Sequence, residues 1–153
     1  LGGGGGFVAG SQTLIDWLSN RARSYFFSTA PPEINAVAAL AALQIVKTEP
    51  HRRRELLARA AALRDRLRSA GLQLGRSESQ IIPVILGSPD RALVAAAELR
   101  HRGFLVPAIR PPSVPAGQSL LRISLTWRHH PQQLDDLANA LLEVAASDAA
   151  AGI

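Results

Sequence analysis

The sequence has no cysteine and no methionine, and it has a single lysine beside sixteen arginines. Without cysteine the chain can form neither a disulfide bond nor a thiolate metal site, which is compatible with the cytoplasmic location that we expect. His129 and His130 are adjacent in the sequence and would serve one metal ion poorly, so we expect no metal. No apolar run reaches the roughly 18 residues that a membrane helix needs, so we expect no membrane partner.

The formal charge is +5, which would suit a nucleic-acid-binding protein if the basic residues were clustered. They are spread along the chain, and the excess of arginine over lysine is typical of a codon-composition bias. The segment HRRRE at 51–55 is followed by further arginines, but acidic residues interrupt it, so a solvated helix face is favoured over a phosphate site. We therefore expect no nucleic acid as a partner.

The lack of methionine indicates that the chain is either processed or a piece of a longer protein. A signal peptide or a transit segment would leave a recognisable pattern, and none is visible. We therefore expect a piece of a longer protein. The glycine run at 2–6 then belongs to an internal loop, which could be flexible or could form an anion-binding nest of backbone N–H groups.

The apolar pattern predicts two groups of elements. The first contains a short strand at 7–10, a helix at 11–23 and an alanine-rich helix at 32–49 that is apolar on nearly every side and should be buried. The second begins with an amphipathic helix at 51–71, and from residue 72 the order is strand, strand, helix, strand, loop, strand, helix. This order is typical of an α/β unit with a small sheet that helices cover on one face.

The last predicted strand, 119–127, presents an arginine away from the core. Because side chains alternate along a strand, Leu121, Ile123, Leu125 and Trp127 share one face and can be core residues. Arg122 lies on the opposite face. The pattern alone leaves two interpretations open, a solvated arginine and an anion-binding one.

Three stretches together resemble the α-oxoamine synthases, which are pyridoxal-phosphate enzymes of the aspartate-aminotransferase fold. They are LGGGGGFVAG, FFSTAPP and FLVPAIRPPSVPAGQSLLRISLTWRHHPQQLDDL, in the order and spacing of that family. The resemblance implies an α/β fold that comprises the last strand and helices of the large domain (1–48) and the small C-terminal domain (49–146). Residues 147–153 are expected to form a disordered tail.

The resemblance also implies where the cofactor, pyridoxal 5'-phosphate, is bound. The lysine that holds it as a Schiff base is expected two positions before Leu1, so the chain should contain no catalytic residue. Lys47 falls inside a predicted helix and does not fit that role. Ser28 and Thr29 are expected to bind the cofactor phosphate of the neighbouring subunit in a homodimer.

Substrate binding is implied for three further residues. Arg122 corresponds to the arginine that binds the carboxylate of the amino-acid substrate, and Ser113 is expected near the substrate in the proline-rich loop. Arg110 is expected to shape that loop more than to touch the substrate, and contact with the substrate stays open as the alternative.

The motif AIRPPSVPAG resembles the members of the family that join L-alanine to a pimeloyl thioester in biotin synthesis. The acyl group is carried by coenzyme A or an acyl carrier protein, and the products are an amino ketone, CO2 and the free thiol. The chain alone should be inactive because it lacks the Schiff-base lysine. Two alternatives stay open: an α-oxoamine synthase with another substrate, and a non-catalytic binding domain derived from this fold.

Overall fold

The computed structural model describes the backbone of residues 2–150 and the side chains of residues 2–147. The chain divides into two compact units, Leu1–Pro50 and His51–Ile153. The sequence predicts a boundary two residues earlier, after residue 48. None of the helices in the described residues is both long enough and apolar enough to cross a bilayer.

The first unit consists of the glycine stretch and three helices: α1 (Gln12–Arg21), α2 (Arg23–Phe26) and α3 (Glu33–Thr48). The hydroxyl of Ser11 caps α1 by accepting a hydrogen bond from the backbone N–H of Leu14. The strand predicted at 7–10 is wrong, since these residues have no regular structure. A strand needs a partner for its backbone groups, and the described residues of this unit contain none.

Helix α3 is not buried, contrary to the prediction from its composition. None of its residues is buried, and Ile34 and Leu40 are 69% and 67% exposed. A helix that is apolar on every side needs neighbours on every side to be buried. The described part of the first unit supplies only two shorter helices and the glycine stretch, so much of α3 stays exposed.

The second unit contains three helices and a three-stranded sheet: α4 (Pro50–Ser69), β1 (Ile81–Gly87), α5 (Pro89–His101), β2 (Ala108–Ile109), β3 (Ser119–Ser124) and α6 (Pro131–Ala150). Gly71 and Gly103 follow α4 and α5 with positive φ angles of 85° and 88°, which only glycine adopts without strain. The strand predicted at 72–75 forms one isolated bridge, Leu74 to Val84.

The sheet is antiparallel throughout, in the order β1-β3-β2, so β3 is the central strand. One face of the sheet forms the core with the three helices. Ile82 and Val84 of β1 and Leu121 and Ile123 of β3 are buried there, together with residues of α4, α5 and α6 such as Leu67. The predicted small sheet with helices on one face is confirmed.

Trp127 is half-buried rather than part of the core, which corrects the prediction for this residue. Its indole N–H donates a hydrogen bond of 2.8 Å to Glu55, and the guanidinium of Arg52 lies 4.5 Å from the centre of its ring. The side chain of Arg59 donates to the backbone oxygens of Trp127 and His129, at 3.0 and 3.1 Å. The first turns of α4 are thereby attached to the turn that follows β3.

Helix α6 extends further than predicted. The tail at 147–153 is expected to be disordered, but α6 continues to Ala150, so the expectation is wrong for 147–150. Residues 151–153 lie outside the described residues. Arg102, at the end of α5, bonds to Glu98 and to Glu143 of α6, and these two hydrogen bonds raise the pKa of Arg102 above its ordinary value.

Candidate substrate-binding site

Arg122 lies on the open face of the central strand, as the alternation predicts. Its neighbours Leu121 and Ile123 are 1% and 2% exposed and belong to the core, whereas Arg122 is exposed. Its backbone N–H donates to the oxygen of Pro107, which fixes the strand against the residues before β2. Among the described residues its guanidinium has no hydrogen bond or ion pair, so all its donors are available to a ligand.

The partner of Arg122 on β1 is Pro83. The backbone N–H of Gly75 donates a hydrogen bond to the oxygen of Pro83. The nitrogen of Pro83, which carries no hydrogen, lies on the same side of the strand as this oxygen and faces away from β3. Pro83 therefore removes no hydrogen bond between β1 and β3. Arg122 and Pro83 therefore form a non-hydrogen-bonded pair, in which opposing side chains lie close together. A Cβ at Gly75 would come within 2.7 Å of Cγ of Pro83, so only glycine fits there without a shift. Arg122 therefore stands beside the rigid ring of Pro83.

Aliphatic side chains flank Arg122 on the same face. Leu120 lies two residues before it on β3 and is paired with Ile85 of β1 and with Ile109 of β2. All three are half-buried. We call Ile85, Leu120 and Ile109 the aliphatic row; it crosses all three strands next to the arginine.

Arg110 and Ser113 lie together in the loop after β2, but at a distance from Arg122. The backbone N–H of Ser113 donates to the oxygen of Arg110 at 2.9 Å, and both residues are exposed. Since Ile109 is paired with Leu120, Arg110 follows at the far end of β3, about 10 Å along the strand from Arg122. The structure therefore brings two of the three predicted substrate-binding residues together and places the third further along the sheet.

Ser28 and Thr29 precede α3 and are both exposed. The hydroxyl of Ser28 donates to the backbone oxygen of Ser24, so its hydrogen is already used. In the part of the chain that the structure describes, the hydroxyl of Thr29 has no hydrogen bond. The carboxylate of Glu33 occupies the first turn of α3, where it competes with any anion for the positive helix end. Thr29 is thus the better phosphate donor of the two predicted residues.

The glycine stretch forms a defined turn against α3. Gly2 and Gly5 have φ angles of 73° and 92°, and a Cβ at Gly4 would come within 3.2 Å of the side chain of Asn35. A cavity of about 460 Å³ is bordered by this turn, by Pro31 and Pro32, and by the first two turns of α3. The glycine turn therefore packs against α3. The sequence leaves open whether the glycine run is a flexible loop or an anion-binding nest.

Lys47 is exposed in the last turn of α3. With a rise of 1.5 Å per residue, it lies about 20 Å from the first turn of that helix, beside which Thr29 is placed. The glycine stretch packs against the first two turns of α3, so Lys47 does not lie beside it, where the resemblance places the Schiff-base lysine. Two side chains carry hydrogen-bond donors that suit the expected ligands. The Thr29 hydroxyl suits the phosphate of the cofactor, and the Arg122 guanidinium suits the carboxylate of the amino acid.

Comparison with known sequences agrees with the resemblance. Residues 1–141 match the model of the family "Aminotransferase class I and II". The chain is 49% identical over 144 residues to the 8-amino-7-oxononanoate synthase of Anaeromyxobacter dehalogenans (strain 2CP-C), an alignment that covers 94% of this chain and 36% of that protein. The enzyme of the same name from Cellvibrio japonicus is 44% identical over 153 residues, with 38% of its length covered. The chain spans a little over a third of the length of these curated relatives.

Solved structures show the same fold. The serine palmitoyltransferase of Sphingomonas wittichii matches with a TM-score of 0.81 and 27% identity, covering 89% of this chain and 35% of that one. A variant serine palmitoyltransferase of S. paucimobilis with a bound PLP–myriocin aldimine matches with a TM-score of 0.79 and 27% identity, covering 86% and 34%. The resemblance to α-oxoamine synthases and the predicted fold class are confirmed.

Proposed function

We propose that this chain, which belongs to the class I and II aminotransferase family, acts in the pyridoxal-phosphate-dependent condensation of L-alanine with a pimeloyl thioester. A carbon–carbon bond forms between the α-carbon of alanine and the acyl carbon, the carbon–sulfur bond breaks, and the thiol carrier leaves. Loss of the alanine carboxylate as CO2 gives 8-amino-7-oxononanoate. The relatives at 44–49% identity are named for this product, which supports the proposed reaction.

Pyridoxal phosphate supplies a conjugated ring that withdraws electrons from the α-carbon of the bound amino acid. The residues of this chain serve binding. Arg122 holds the amino-acid carboxylate, and Thr29 donates to the cofactor phosphate of the neighbouring subunit in a homodimer. Ser113 lies near the substrate, and Arg110, which shares one turn with Ser113, shapes the loop after β2. By itself the chain is inactive, because its single lysine, Lys47, lies in the last turn of α3 and not directly before the glycine stretch, where the resemblance places the Schiff-base lysine.

The observation that carries the proposal is the placement of Arg122. A central strand fixes its Cα, its guanidinium has no partner among the described residues, and Pro83 provides a rigid surface beside it. An arginine held in this way can meet a carboxylate with two parallel hydrogen bonds and lose little further freedom.

The test is the dependence of the reaction rate on L-alanine in the native protein that contains residues 1–153. Replacing Arg122 by alanine should cost roughly 2–5 kcal/mol, which lowers kcat/KM for alanine about 30-fold to several-thousand-fold. Arg122→Lys should restore only part of this, because an ammonium group cannot form the two-pronged contact. The matched control is Arg128→Ala, at an exposed arginine just beyond β3, and it should leave kcat/KM for alanine unchanged.

A decrease of less than about threefold for Arg122→Ala, or an equal decrease for Arg128→Ala, would show that Arg122 is a solvated surface residue. Offering glycine or serine in place of alanine tests the choice of amino acid. A preference for either one would assign the chain to another α-oxoamine synthase.

A further inference from the structure

The open face of the sheet is more apolar than an exposed face normally is. Antiparallel sheets usually carry polar residues on the face that helices do not cover. Here Ile85, Leu120 and Ile109 are joined side by side by the strand register and are half-buried, yet none of them is among the side chains packed against the core. The aliphatic row is therefore a surface feature that the stability of the core does not explain.

The row has a fixed position relative to Arg122. Leu120 and Arg122 are two residues apart on one face of β3, which separates their Cα atoms by about 7 Å. Because the row spans three strands, it is about 10 Å long and runs perpendicular to them. On the other side of Arg122 the corresponding pair is Ser124 and Ile81, where a hydroxyl interrupts the apolar surface. The arginine thus has a continuous aliphatic surface on one side only.

We infer that the aliphatic row binds the acyl chain of the thioester substrate while Arg122 holds the carboxylate. This inference rests on the proposed function, in which condensation joins the acyl carbon to the carbon that bears the carboxylate. The carboxylate and the aliphatic chain are then parts of one molecule, and the face offers a guanidinium and an apolar strip at a matching separation. The ligand class is a carboxylate attached to an unbranched aliphatic chain of several carbons.

The test measures binding of propanoate and hexanoate to the native protein by calorimetry, with hexanamide as the uncharged probe. Each methylene group that leaves water should tighten binding about threefold to fourfold. Hexanoate should therefore bind at least about tenfold tighter than propanoate, and hexanamide should bind weakly. In Leu120→Thr this ratio should fall to about threefold or less, with propanoate unchanged. The matched control is Ile81→Thr, the same type of substitution on the other side of Arg122, and it should keep the ratio of the unaltered protein.

A second measurement makes the result independent of how well Leu120→Thr folds. In the unaltered protein, the methyl groups of Leu120 and Ile85 should show nuclear Overhauser contacts to the hexanoate chain, and those of Ile81 should not. Equal ratios in Leu120→Thr and Ile81→Thr, or the absence of these contacts, would overturn the assignment of the row. If Arg122→Ala bound propanoate as tightly as the unaltered protein does, the carboxylate site of the proposed function would be wrong instead.

Discussion

Arg59 is expected to contribute more to stability than any exposed arginine of the same helix. Its guanidinium donates to the backbone oxygens of Trp127 and His129, at 3.0 and 3.1 Å, and forms an ion pair of 3.3 Å with Glu55. A hydrogen bond from a charged group contributes about 1.5–3 kcal/mol, and a half-exposed ion pair contributes less than 1 kcal/mol. The Arg59 side chain is 28% exposed, and one nitrogen serves both oxygens, so we expect Arg59→Ala to lower the free energy of unfolding by about 1.5–2.5 kcal/mol.

Urea unfolding measures this loss, with tryptophan fluorescence as the signal. In the chain of residues 1–153, a Trp17→Phe background leaves Trp127 as the single tryptophan, at the position that Arg59 holds. The matched control is Arg68→Ala on the same helix, because Arg68 is half-exposed and its ion pair with Asp65 is 3.6 Å long. We expect this control to cost less than about 0.5 kcal/mol. If Arg59→Ala cost no more than Arg68→Ala, the attachment of α4 to the turn after β3 would contribute nothing to stability.

Two further predictions concern the cofactor. Thr29→Val should weaken the binding of pyridoxal phosphate to the native protein by at least about tenfold, since a hydrogen bond to a charged group is lost. Ser28→Ala should change this affinity by less than threefold, because the Ser28 hydroxyl donates to the backbone oxygen of Ser24. Equal effects of the two substitutions would contradict this distinction. The chain of residues 1–153, mixed with pyridoxal phosphate and reduced with borohydride, should show no stoichiometric label at Lys47, and a full label at that residue in peptide mapping would refute the expected inactivity.

The features that the sequence predicts well depend on local chemistry. Gly71 and Gly103 follow the ends of helices, because their positive φ angles favour glycine. The buried and exposed sides of β3 follow from strict alternation, which places Leu121 in the core and Arg122 outside it. These statements need only the residues next to one another in the chain.

The features that fail depend on neighbours that the pattern does not specify. Composition makes α3 look buried, but burial requires surfaces to pack against, and α3 has no buried residue. Alternation places Trp127 in the core, but β3 ends at Ser124, so the alternation no longer applies three residues later. The HRRRE segment is predicted to be a solvated face, and Arg53, Arg54 and Glu55 are exposed, whereas Arg52 is half-buried and lies over the ring of Trp127. The Trp127 indole is 72 residues from its acceptor, Glu55, which no local pattern reveals.

The aliphatic row shows most clearly what the sequence leaves out. The run IIPVILG contains apolar residues on both faces of β1, which is typical of a strand covered on both sides. That pattern indicates that the open face of β1 is not an ordinary solvent-exposed face, but it does not identify the residues that lie beside it on the neighbouring strands. Only the register, which pairs Ile85 and Ile109 with Leu120 and Pro83 with Arg122, turns scattered apolar residues into a strip next to a guanidinium. A single arginine on a strand leaves a solvated and an anion-binding interpretation open, whereas an arginine beside a strip of this length favours the ligand that we propose, an anion that carries an aliphatic chain.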